Sequence, residues 1–267
     1  MTMSSQMISP PPTFTDTPVS AVVPERDRNY RIWRLCAWSG VVYTVGAIIF
    51  FAITAGFIPP PSENWDAARV AAYFHQNHAR ITVGMEGVLL VAFFYAFFSI
   101  GLSRLMQRVE GPRGFLHAIE EMGGLATAGI TIGCALAWLT AAFRAGTRAP
   151  GDVQTLNDLG WMIFNLTAPV TIAQMVGFGT VWLFRDERPQ PLMPRWLGYL
   201  SIVTAAIFLV VFLSPWHTSG AFSWQGAITL YLGFGAFFVW IVAVLPLAFR
   251  AINCLEAEDR IAGSAWS

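Results

Sequence analysis

Apolar positions along this chain gather into six long runs: Trp33 to Phe57, Ile81 to Leu105, Met122 to Phe143, Leu159 to Phe184, Trp196 to Ser214 and Ala227 to Phe249. Short segments between them hold most of the charge. A bilayer core about 30 Å thick takes about 20 mostly apolar residues as a helix, and each run reaches or approaches that length. None shows the ten-residue alternation of a membrane barrel strand, and in hydrocarbon a helix satisfies its backbone within one segment. The pattern predicts an all-α polytopic membrane protein, a bundle of six transmembrane helices over residues 31–250.

The segments outside the runs predict the rest of the organisation. Residues 1–30 carry Pro10-Pro11-Pro12 with many Ser and Thr and no apolar periodicity, the composition of a disordered tail. The first basic residue is Arg26, so the first span itself is expected to direct insertion. Residues 58–80 form the one extended outer loop. Pro59-Pro60-Pro61 stops the first span, and Ser62 is placed to cap a short amphipathic helix from about Glu63 to Gln76, with Val70, Tyr73 and Phe74 on one side. That helix is expected along the membrane surface or across the end of the bundle. Residues 251–267 form a second tail.

Arginine asymmetry predicts the orientation, since short cytoplasmic loops carry the basic excess. Arg26, Arg28, Arg31, Arg34, Arg104, Arg108, Arg113, Arg185, Arg188, Arg195, Arg250 and Arg260 fall on one side; Arg69, Arg80, Arg144 and Arg148 fall on the other. Both termini are therefore expected to be cytoplasmic, in a multi-pass protein of the inner membrane. Tryptophan favours the headgroup region, which predicts Trp33, Trp182 and Trp196 at the inner boundary and Trp65, Trp161, Trp216 and Trp224 at the outer one.

Composition sharpens this reading. The chain is 55% hydrophobic and 12% charged, with 16 basic against 16 acidic residues. That balance makes the lipid bilayer the expected partner and argues against nucleic acid, which requires a basic field. Every basic charge is arginine, a bias that fits a GC-rich bacterial genome. Cys36, Cys134 and Cys254 are far apart and outside the outer loops, which argues against a structural disulfide or a cysteine-type zinc site.

Candidate chemistry rests on polar groups within the apolar runs. Glu86 is the acidic residue inside a run, and an ionisable group at membrane depth marks a functional site by default. The 17 residues from Gly87 to Ser103 give roughly 25 Å of apolar helix, so a position at the outer headgroups is open as well. In the third run Glu120, Thr127, Thr131, Cys134 and Trp138 share a narrow arc, while Gly129, Gly133 and Ala137 repeat at the spacing of close helix packing. The apolar stretch begins only at Met122, so His117, Glu120 and Glu121 are expected in a wet turn. In the fourth run Pro169 offers no N–H to the carbonyl of Asn165, which predicts a kink, with Thr167, Thr171 and Gln174 projecting nearby. Interrupted helices hold substrates in transporters, which makes Glu86, Thr131, Asn165, Thr171 and Gln174 the candidate substrate-binding residues.

No motif for nucleotide phosphate, zinc proteolysis or a serine nucleophile occurs in the chain, and no catalytic residue is assigned. No cofactor is expected from the spans. The alternative is a transition metal on the outer face, held by His75, His78 and His217 with Glu86 as ligand or base, the arrangement of a metal-dependent membrane enzyme.

Trp38 and Gly40 in the first run, Pro59 to Pro61 at its exit, Arg104 through Glu110 and Gly111 after the second, and Pro194-Arg195-Trp196-Leu197-Gly198 before the fifth give a resemblance. Over Ile32 to Arg250 the chain resembles a group of uncharacterised bacterial multi-pass membrane proteins classified as a domain of unknown function. The resemblance implies the fold and carries no catalytic residue. The expected function is small-molecule transport or binding within the bundle, or service as an accessory subunit with a membrane-protein partner.

Overall fold

The structure, a computed structural model, describes residues 29–264. Of the tails expected at 1–30 and 251–267, residues 1–28 and 265–267 lie outside them, whereas Tyr30 already opens the first helix and 251–264 continue the last one. All regular structure among the described residues is helical, and six helices are long and apolar enough to cross a membrane.

The first span runs Tyr30–Thr54, as α1 (Tyr30–Ala47) followed by a π-helical stretch (Ile48–Thr54). A short α2 (Ala67–Gln76) leads into α3 (His78–Glu110) and α4 (Leu116–Ala142). The fourth span, Pro150–Phe184, is broken into α5 (Pro150–Leu166) and α6 (Ala168–Phe184). Next comes α7 (Arg195–Val211), and the last span joins a π-helical stretch (Ala227–Phe234) to α8 (Gly235–Ser264). At 33 residues α3 is about 50 Å long, so its polar ends extend beyond a 30 Å core.

Apolar residues cover the outside of the bundle and also fill most of its core, with a smaller set of polar residues buried among them. Leu35, Ile53, Leu90, Phe93 and Val203 are exposed, whereas Ser99, Glu120, Asn165, Gln174 and Ser201 are buried. An apolar exterior suits a lipid surround, where polar groups are cheapest when they satisfy one another.

The two ends of the described chain meet on one face. Tyr30 donates to Asp259 at 2.6 Å, Arg108 bonds Asp259 at 3.1 Å, and Arg34 pairs with Glu256. On the opposite face α2 caps the bundle. Asp66 rather than Ser62 caps this helix, its side chain accepting the N–H of Arg69 at 2.8 Å, so the helix starts at Ala67 and not at Glu63. Val70 and Phe74 are buried while Tyr73 is half-buried, and the Gln154 amide of α5 donates to the Trp65 carbonyl at 3.2 Å.

The cap closes against the loop before the last span. The indole N–H of Trp224 donates to the Pro61 carbonyl at 2.9 Å, its backbone N–H donates to Glu63, and Gln225 donates to Ser62 at 2.6 Å. Burial pushes the Glu63 carboxyl above its ordinary range, and its second oxygen has no hydrogen-bond partner among the described residues.

Trp196 and Trp216 are exposed at the ends of their helices, but Trp33, Trp161, Trp182 and Trp224 are buried. Trp161 joins an aromatic cluster with Trp138 (centroids 4.9 Å apart), Phe51 and Phe57. These indoles pack against protein: Trp161 and Trp224 stack on each other beneath the cap, whereas Trp33 lies against Tyr30 and Trp182 against Phe178 in the other half of the core.

The Gly129, Gly133 and Ala137 stripe is not the close crossing. A Cβ at Gly129 would meet nothing within 4 Å, and one at Gly133 would touch only Ile163, at 3.6 Å. The tight contacts lie a few turns away. A Cβ on Gly123 would come within 2.6 Å of the Val170 carbonyl oxygen, one on Gly124 within 1.9 Å of the Ser99 hydroxyl, and one on either Gly179 or Gly198 within 2.9 Å of the other's carbonyl oxygen. Only hydrogen fits at these crossings, so α3, α4, α6 and α7 are drawn together around a common polar interior.

Candidate functional site

The break in the fourth span builds the site. Pro169 removes the N–H that would bond the Asn165 carbonyl, α5 ends at Leu166, and the Thr167 hydroxyl turns back to the Ile163 carbonyl. The predicted kink is present as a complete interruption between α5 and α6. Beside it lies a cavity of about 60 Å³, room for a few water molecules.

Its lining is mixed. Tyr43, Thr127, Thr131, Asn165, Thr171 and Thr229 present polar groups, and Ile130, Phe164, Phe208, Val211, Phe234 and Phe237 form apolar walls. No charged side chain lines it. Asn165 is 2% exposed, and its amide nitrogen has no hydrogen-bond partner among the described residues. Leaving such a donor unsatisfied costs about 1–3 kcal/mol, a cost that an occupant's acceptor would remove. Ile130, Phe164 and Phe208 are only half-buried, so this wall reaches the outside of the bundle.

The second interruption is the π-helical stretch Ala227–Phe234, which sequence periodicity had not disclosed. It supplies Thr229, Gly233 and Phe234 to the same cavity. Stretches of π-helix leave the regular bonding ladder and recur at functional sites. Thr229 bonds the Phe222 carbonyl at 2.9 Å, which ties the cavity wall to the loop that closes the cap.

From the cavity a polar track runs toward the face with the chain ends. Thr127 and Thr171 share a hydrogen bond of 2.9 Å between α4 and α6. One turn along α6, the Gln174 amide donates to Glu120 at 3.0 Å and accepts from the Tyr95 hydroxyl at 2.8 Å. Ser99 donates to the same Glu120 oxygen at 2.9 Å. Glu120 is 0% exposed, and its other oxygen has no hydrogen-bond partner among the described residues. Beyond it, Ser103 donates to Glu121 at 2.7 Å.

Among the candidate substrate-binding residues, Thr131, Asn165 and Thr171 thus meet at the cavity, and Gln174 lies on the adjoining track. Glu86 does not join them. It points outward on α3, in line with exposed Val83 and Leu90. The acidic residue inside the bundle is Glu120, expected in a wet turn but enclosed because α4 begins at Leu116 and Gly123 and Gly124 bring α6 and α3 against it. Its position on the arc with Thr127 and Thr131 was the available signal.

His75, His78 and His217 are not gathered. Asn77 separates α2 from α3 between the first two, a Cβ on Gly146 would touch the His75 ring at 2.6 Å, and His217 lies against the Phe222 ring. Among the described residues no three His, Cys, Asp or Glu side chains are grouped to hold a metal ion. His117 pairs instead with Glu110, which also accepts the first N–H groups of α4.

Comparison with protein-family models, curated proteins and solved structures gave no match to this chain. The reading of the site therefore stands on its geometry.

Proposed function

We propose that this protein binds a small, uncharged, hydrogen-bonding molecule with an apolar portion in the cavity at the α5–α6 break, as a step in moving it across or within the membrane. The observation that carries this reading is the unpartnered amide of Asn165 at that cavity, buried among hydroxyls and aromatic rings. An ion is a poor fit, since no lining residue offers an opposite charge. The small volume suits a polar head of a few atoms, with the apolar portion lying along Phe164 and Phe208.

Two interrupted helices at one cavity, α5–α6 and the π-helical start of the last span, support a carrier over a purely structural role. In this reading the arginine excess places both termini in the cytoplasm, and the protein belongs to the inner membrane of a bacterium, in the multi-pass group it resembles.

Native mass spectrometry of the full chain, released from mild detergent, tests the reading. The wild type should carry a small neutral species that Asn165→Leu and Thr171→Val lose. Equal retention by both variants would overturn it, and a stoichiometric protein partner with an empty cavity would favour an accessory subunit.

A further inference from the structure

Glu120 is the buried acid that the cavity reading leaves unused, and its surroundings discriminate between a metal cation and a proton. One carboxyl oxygen receives two donors, the Ser99 hydroxyl and the Gln174 amide N–H. The amide oxygen of Gln174 is turned the other way, toward Tyr95. A metal cation needs several oxygens converging on one point, and here the neighbours offer hydrogens. Among the described residues neither arginine nor histidine hydrogen-bonds the carboxyl.

Gln174 is also able to serve both protonation states of Glu120. With the carboxylate ionised, the amide N–H donates to it and the Tyr95 hydroxyl donates to the amide oxygen. With the carboxyl protonated, a half-turn of the amide reverses the chain: the Glu120 O–H donates to the amide oxygen, and the amide N–H donates to the Tyr95 oxygen. Each arrangement keeps the same number of bonds among the three side chains. A fixed salt bridge lacks this symmetry.

We infer that Glu120 is a reversible proton-binding site within the bundle, with Gln174 as the rotor that satisfies both of its forms and the Ser103–Glu121 pair as its route to the face carrying the chain ends. The step is a simple protonation: a proton arriving by way of Glu121 bonds to a Glu120 oxygen and leaves by the same route or toward Thr171 and Thr127. Other titratable groups facing Glu120 are Tyr95 of α3, with the Tyr43 ring of α1 tilted against it at 4.8 Å between centroids, and Glu121 on its own helix. From α6 the facing group is Gln174, which carries no charge.

Infrared difference spectroscopy of the full chain in lipid nanodiscs, stepped through pH, tests the site without any cavity occupant. Its failure is therefore distinct from failure of the binding reading. The wild type should show a carboxylic C=O band that Glu120→Gln abolishes and Glu256→Gln, at the surface, retains, and Tyr95→Phe should shift the pH midpoint of that band. A wild type with no such band, or a band unchanged in Glu120→Gln, would overturn the inference. Should Glu120→Gln fail to fold, Gln174→Leu decides: the band must change frequency when its amide partner is removed, and an unmoved band counts against the site.

Discussion

The carboxyl of Glu120 and the side-chain amide of Gln174 meet at 3.0 Å across α4 and α6, fully buried and 54 residues apart in sequence. Their meeting depends on Gly123 and Gly124, whose missing side chains leave room for α6 on one side and Ser99 on the other. This contact links the end of the bundle that carries the termini to the cavity at the broken fourth span.

Gly124→Ala should destabilise the fold by about 1–3 kcal/mol, the usual cost of forcing extra volume into a packed site, because its Cβ would overlap the Ser99 hydroxyl. Gly129→Ala, open on all sides, should stay within about 0.5 kcal/mol of the wild type. Thermal unfolding in one detergent compares the two, and equal effects would show that the crossing at Gly124 is not the tight one.

Gln174→Leu removes a donor to Glu120 and the acceptor of Tyr95 together. Buried groups left without partners cost about 1–3 kcal/mol each, so a loss of about 2–4 kcal/mol is expected. Combined with Tyr95→Phe, the loss should be smaller than the sum of the single changes, since the two residues share a bond. Strict additivity in a double-mutant cycle would contradict the network.

Glu63 sets a pH dependence at the cap. Burial raises its folded value above the ordinary 4.5, so the folded chain holds a proton that the unfolded chain has released. Its contribution is fully present below that ordinary value and is lost as pH rises through the raised folded value. Glu63→Gln should flatten this part of the melting-temperature profile and raise the melting temperature at neutral pH. An unchanged slope between the two proteins would refute the assignment.

At the other face Asp259 joins Tyr30 and Arg108 where the two ends of the described chain meet. Asp259→Asn should cost about 2 kcal/mol, less than the full penalty of a broken buried pair because Arg108 retains some access to solvent. Removing Arg260, which pairs with Glu256 at the surface, should leave stability nearly unchanged. Thermal melts of both variants rank the two contacts.

Much of the fold was legible because the bilayer imposes a length and a composition on each span that one strand of sequence must meet by itself. The Pro169 interruption was legible for a similar reason, since a missing N–H is a covalent fact. The true acid of the bundle was harder to read. Glu86 interrupts an apolar run and so drew attention, yet helix rotation aims it outward. Glu120 sits at a run's edge among polar neighbours, and nothing in its local spacing tells that α3 and α6 close over it.

The sequence by itself determined six apolar helices, a broken fourth span and an arc of Thr and Glu along the third. Hydrophobic length, proline chemistry and the 3.6-residue turn are local properties. Only the tertiary structure decided which glycines form the crossings, that four tryptophans pack inward, and that Asn165, Thr131 and Thr171 share a cavity while the three histidines stay apart. Those outcomes depend on the rotation and offset of one helix against another, which are set by contacts between residues tens of positions apart.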